Sequence, residues 1–127
     1  MANTHKELMY TKSHEWVKED GDTVIVGLTD FAQEALGGLV FVNLPEVGDT
    51  VEAGESFGDV ESVKAVEDIF SPVTATVAEV NVDVIDNPAL INEEPYEAWL
   101  IKVENITDKS ELLDRKGIEE VIEKEAD

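Results

Sequence analysis

Residues 58–68 read Gly-Asp-Val-Glu-Ser-Val-Lys-Ala-Val-Glu-Asp, and their reading decides the fold. One lysine, Lys64, stands among valines and carboxylates. Gly58, Ser62 and Ala65 are small, while Asp59, Glu61, Glu67 and Asp68 frame the single amine. On either side lie runs of similar length and punctuation. The run at 39–63, LVFVNLPEVGDTVEAGESFGDVESV, is broken by Pro45, Gly48 and Gly54. The run at 65–85, AVEDIFSPVTATVAEVNVDVI, is broken near Pro72, with Val73, Val77 and Val80 as its apolar positions. Short β-like runs about a central turn predict a quasi-symmetric β unit with Lys64 at the tip of a hairpin.

Working outward, residues 15–28 (EWVKEDGDTVIVGL) predict two strands around a turn at 19–22. Trp16, Val24, Val26 and Leu28 are the alternating apolar positions. Residues 29–38 (TDFAQEALGG) change period. Phe31, Ala35 and Leu36 fall at helical spacing, Asp30 and Gln33 suit a capping box, and Gly37-Gly38 end the helix. Residues 95–105 (PYEAWLIKVEN) predict a strand with Trp99, Ile101 and Val103 on one face and Leu100 and Lys102 on the other. A C-terminal helix is expected over about residues 110–125, broken at Gly117, with Ile118, Val121 and Ile122 as a narrow apolar stripe. At 127 residues the chain is expected to form a single domain.

Composition narrows the function classes. Thirty acids against nine bases give a net charge of -21, which argues against nucleic acid or an anionic membrane surface as partner and favours proteins with basic docking patches. Without cysteine there is no disulfide, thiolate metal site or cysteine nucleophile. The opening residues lack a basic segment followed by an apolar one, so a cytoplasmic monomer is the expectation. Ser13-His14-Glu15 has the residue types of a hydrolytic triad, but adjacent strand residues point to opposite faces and cannot relay a proton among themselves. Only His5 and His14 exist, so a zinc site is not expected. The acids of residues 81–94 (NVDVIDNPALINEE) lack the glycine of a calcium loop and read as a solvated surface. A long flexible amine on a rigid hairpin suits a lysine that an enzyme must find and modify.

The segments 10–17 (YTKSHEWV), 26–73, 79–81 (EVN), 87–96 (NPALINEEPY) and 99–103 (WLIKV) resemble the H proteins of the glycine cleavage system, over about residues 8–113. The resemblance implies a mainly β fold of the lipoyl/biotinyl type, a flattened barrel or sandwich, and a non-catalytic carrier with lipoic acid in amide linkage on Lys64. It also implies partners. The pyridoxal-phosphate P protein loads an aminomethyl group, the T protein passes the one-carbon unit to tetrahydrofolate, and the flavoprotein L protein reoxidises the arm. Ser13, Glu15 and Asp68 match the cleft that shelters the loaded arm, and Glu61, Ser62, Val63 and Ala65 are positions that the lipoate-attaching enzyme would read.

The chain departs from the family pattern at Ala75, where many members have a glycine and a sharper turn, in the shorter run before Trp99, and at Val121, where an aromatic is common. Biotin carriers usually set the lysine between methionines, whereas Val63 and Ala65 flank it here. Lipoyl domains of 2-oxoacid dehydrogenases typically place an aspartate directly before it. Two other classes of function remain as rivals. A lipoyl relay would be needed even without P and T proteins, and an unmodified acidic binding module would tolerate Lys64→Arg.

Overall fold

The computed structural model describes residues 8–109 and 112–126, apart from the side chains of residues 115, 125 and 126. The strand β1 (Met9–Tyr10) leads into the hairpin of β2 (Glu15–Asp20) and β3 (Thr23–Leu28), which turns at Gly21 with φ of 63°. The helix α1 (Asp30–Leu36) follows, then β4 (Leu39–Asn43), β5 (Thr50–Val51), β6 (Ser56–Ser62), β7 (Val66–Phe70) and β8 (Val73–Val80). Two short helices, α2 (Val82–Asp86) and α3 (Ala89–Glu93), precede β9 (Ile101–Lys109) and the final helix α4 (Arg115–Ala126).

The strands form two antiparallel sheets. One has the order β1-β2-β3-β9-β8-β5 and the other β4-β6-β7. The mirror about Lys64 holds for two strands on each side, because β6 pairs β7 in the small sheet and β5 pairs β8 in the large one. It fails at residue 82, where the expected strand is a helix. Asn81 caps α2 by accepting from the Asp83 amide at 3.2 Å, and Val84 and Ile91 are fully buried, while the acids of residues 81–94 meet solvent together with Val82 and Ile85.

Alternation along the strands fills the space between the sheets. Val17, Val26, Val77, Ile101 and Val103 form one part of the core, and Leu28, Val42, Val60, Ile69 and Leu100 another, with Phe57 touching both. The register Trp16↔Gly27 and Val17↔Val26 puts Trp16 on the opposite face from Val24 and Val26, not in their row as the sequence suggests. Its indole lies where a Cβ on Gly27 would be, donates to the Pro95 carbonyl at 2.9 Å, and packs with Tyr10 and Ile118 of α4. The amphipathic C-terminal helix therefore covers the outer face of β2 at its start, where Glu15, Trp16 and Val17 are buried, while Lys18, Glu19 and Asp20 are exposed.

Four other expectations shift in detail. The cap of α1 is Thr29, whose hydroxyl accepts from the Ala32 amide at 3.2 Å, while Asp30 is already helical and accepts from Gln33 Nε2 at 2.8 Å. The strand after Tyr96 begins only at Ile101, and Trp99 packs with Trp16 and Ile118, away from Ile101 and Val103. Gly117 lies inside the first turn of α4 and donates to Asp114 Oδ1 at 2.8 Å, so it does not break the helix; residues 110 and 111, at the expected helix start, lie outside the described residues. Ala75 sits buried within β8, paired with Val51, and the irregularity opposite it falls in β9, where Asn105 has φ of 56°.

Candidate functional site

The hairpin of β6 and β7 turns through Val63, Lys64 and Ala65. Ser62 locks the turn: its amide donates to the Ala65 carbonyl at 2.8 Å, and its Oγ accepts from the Lys64 and Ala65 amides at 3.3 and 3.1 Å. A small hydroxyl residue thus satisfies the turn's orphan amides and fixes the lysine backbone. The Lys64 side chain is exposed, and its stem passes beside Gly37, where an added Cβ would stand 3.5 Å from Cε. Gly37 ends α1 at φ of 82°, a conformation that disfavours any side chain.

Beside the turn lies a cavity of about 400 Å³. Its apolar wall includes Leu28, Phe31, Leu36 and Ala65, and its polar lining includes Ser13, Asp68, Glu67 and Lys12. His14, at φ of 71°, closes one side with its ring 4.6 Å from that of Phe31. Asn92 sets the position of α1, which supplies much of that wall. Its Nδ2 donates to Gln33 Oε1 at 2.9 Å and to the Gly37 carbonyl at 2.8 Å, and its Oδ1 accepts from the Leu39 amide at 2.9 Å. One amide side chain therefore ties the end of α1 to the start of β4. Sequence reasoning missed it because nothing in residues 87–96 says which of the polar side chains turns inward.

Of the three cleft residues drawn from the sequence, Ser13 and Asp68 line the cavity and Glu15 lies beneath its wall, with no exposure to solvent. Glu15 Oε1 accepts from the hydroxyls of Ser13, at 2.5 Å, and Thr11, and Oε2 accepts from the Phe70 amide at 3.2 Å. Burial raises its pKa above the ordinary carboxylate value, although these donors and the neighbouring His14 pull the other way. The Ser13 hydroxyl is held by the carboxylate itself. Glu61, Ser62, Val63 and Ala65 all fall on the hairpin around Lys64, with Val63 82% exposed. Among the described residues no group of histidine, aspartate and glutamate is placed to hold a metal ion.

A two-sheet flattened barrel that displays one lysine on a locked hairpin beside a half-apolar cleft is a domain of the lipoyl/biotinyl class. The particular family follows from comparison with known proteins. The family model for the glycine cleavage H-protein matches residues 8–125. The glycine cleavage system H protein of Lachnoclostridium phytofermentans is 55% identical over 121 residues, covering 94% of this chain and 95% of its own length. That of Carboxydothermus hydrogenoformans is 49% identical over 130 residues, covering all of both chains. The crystal structure of the H protein from Mycobacterium marinum superposes with a TM-score of 0.87 at 44% identity, over 96% of this chain and 98% of that one. The chain belongs to the glycine cleavage H-protein family.

Proposed function

We propose that this chain is the non-catalytic, lipoylated carrier of aminomethyl groups in glycine cleavage, with Lys64 as its attachment point. The observation that carries the reading is the exposed amine of Lys64, on a turn whose backbone Ser62 immobilises, at the mouth of a cavity that can hold an aliphatic arm. When joined to Lys64 in amide linkage, lipoic acid supplies the dithiolane chemistry by which an aminomethyl group passes from the P protein to the T protein, with the L protein restoring the disulfide.

The residues of this chain then have distinct tasks. Lys64 supplies the amine and a flexible stem that lets the load leave the cleft and reach each enzyme in turn. Leu28, Phe31 and Leu36 offer an apolar wall that keeps water from a sheltered load. Asp68 at the rim presents a carboxylate to a cationic amine, and Ser13, its hydroxyl aligned by Glu15, offers an oxygen that can accept from it. Glu61, Ser62, Val63 and Ala65 form the surface that the lipoate-attaching enzyme reads before the arm exists.

Intact-mass measurement on protein from lipoate-fed cells, with peptide mapping across residue 64, tests the assignment. One lipoyl group on Lys64 is expected. Lys64→Arg should abolish both the added mass and the glycine cleavage of the reconstituted system while the melting temperature stays within a degree or two of wild type. Retained activity in a folded Lys64→Arg protein would sink the proposal.

A further inference from the structure

The outward face of the small sheet carries two cross-strand rows. Register places Phe41, Glu61 and Val66 in the row next to the turn and Asn43, Asp59 and Asp68 in the next. Val42 and Val60, at the alternate positions, are in the core, so Phe41 and Val66 point away from it. Phe41 is 53% exposed and Val66 61%. The solvated face of an antiparallel sheet ordinarily carries polar side chains. Here an aromatic and a valine flank a glutamate, with Val63 exposed at the turn beside them and carboxylates behind. Such a strip, two exposed apolar side chains on either side of a carboxylate with further carboxylates behind, marks a surface that something covers.

Charge selects the occupant. A second copy of this chain would bring another net charge of -21 against the same acids. The complementary partner offers apolar contacts to Phe41 and Val66 and cationic side chains to Glu61 between them and to the carboxylates behind. Reach narrows it further. Before modification only the lysine stem spans the distance to an active site, so the enzyme that acylates Lys64 must seat the hairpin tip against its own surface. Glu61 lies three residues from Lys64, which puts its whole row inside that footprint. Enzymes that serve the longer modified arm are free to dock farther away.

We propose that Phe41 and Val66, astride Glu61, are the apolar anchor by which the lysine-acylating enzyme grips this protein. The inference rests on the carrier reading of Lys64. In the step served, an amide bond forms between Lys64 Nζ and the carbonyl carbon of an activated lipoyl group, an acyl adenylate or acyl thioester. The bond to the activating group breaks, and the ammonium of Lys64 loses one proton to solvent and a second to the leaving group.

The test uses full-length unmodified protein with a purified lipoate ligase, ATP and lipoate, following intact mass over time at varied carrier concentration. Phe41→Thr/Val66→Thr keeps strand-forming residues and should lower kcat/KM at least tenfold, chiefly through KM, with kcat within twofold of wild type. Phe41→Lys should lower it at least as far, and Phe41→Leu should retain most of the rate. Val47→Ser, an exposed valine outside this sheet, is the control expected to behave as wild type. Unchanged acylation in either folded loss variant overturns the proposal. So does normal acylation combined with failed loading by the glycine decarboxylase, which would assign the face to that enzyme. A wild-type protein that takes up no lipoyl group while another lipoyl domain does would instead remove the carrier reading itself.

Discussion

Glu15 shows how far one residue's environment departs from its appearance in the sequence. It shares a face of β2 with Val17, paired opposite Leu28, and so points inward. Its two oxygens join the β1–β2 turn, through Thr11 and Ser13, to the end of β7, through the Phe70 amide. The carboxylate is thus a fastener between the two sheets as well as a support for Ser13. Because burial raises its pKa above the usual 4.5, folding favours the protonated form. Between the unfolded and folded values the native state binds more protons, so this group's contribution to stability falls as pH rises. The charged-state penalty is absent below the unfolded value and complete above the folded one. Glu15→Gln, which does not titrate, should therefore compare worst with wild type at low pH. The difference in melting temperature, wild type minus variant, is expected to grow as pH is lowered from 7 toward 4.5. A difference that is flat across that range would show that the site does not bind a proton on folding.

At the scale of elements, α1 is the part of the cleft least able to stand alone. It has seven residues, too few to be stable in isolation, so its caps and packing decide whether it forms. Thr29 is buried and supplies the N-terminal cap, Asn92 holds the other end, and Leu36 anchors it in the core. Thr29→Ala should cost about 1–2 kcal/mol, a fall in melting temperature of roughly 4–8 °C for a chain of this size. Asp30→Ala, at the position the sequence pattern favours as cap, should change stability by no more than about 0.5 kcal/mol. Paired thermal melts would decide between the two assignments, and a larger loss for Asp30→Ala would reverse them. Loss of α1 would remove Phe31 and Leu36 from the cavity while leaving the hairpin intact. On the carrier reading proposed above, shelter of the arm and its attachment should therefore be separable by mutation.

For the whole molecule the dominant quantity is charge. The ion pairs Lys102–Glu79, at 3.8 Å, and Lys109–Glu19, at 3.1 Å, join largely solvated side chains and add little stability. The acid surplus therefore bears on encounters more than on the fold. With basic partners, the KM of the reconstituted system for this carrier should rise roughly fivefold to tenfold between 50 and 300 mM salt, as the Debye length shortens, with little change in kcat. A KM independent of salt would leave the charge as a means of solubility alone.

The sequence by itself determined the hairpin, its lysine and the alternation that makes two sheets, because these are signals of period two and of turn chemistry carried within a few residues. Within residues 58–68, Ser62 and Ala65 are small where the turn needs them and Val60 is apolar where the core does. Family membership was equally legible, since segments spread from residue 10 to residue 103 had to occur in order. What only the tertiary structure decided depends on partners distant in sequence. Trp16 and Val17 look like neighbours in one apolar run, and only the register with β3 and the arrival of α4 put them in different hydrophobic clusters. The acids of residues 81–94 are solvated as their sequence suggests, but that Val84 and Ile91 close the core beneath them is not visible in the segment itself. Asn92 and Gln33 meet across 59 residues, and Glu15 and the Phe70 amide across 55. The strip of Phe41, Glu61 and Val66 likewise exists only once three strands align. Local patterns encode which elements form, whereas a cleft or a docking face is made where elements meet, and that meeting is settled by packing over the whole chain.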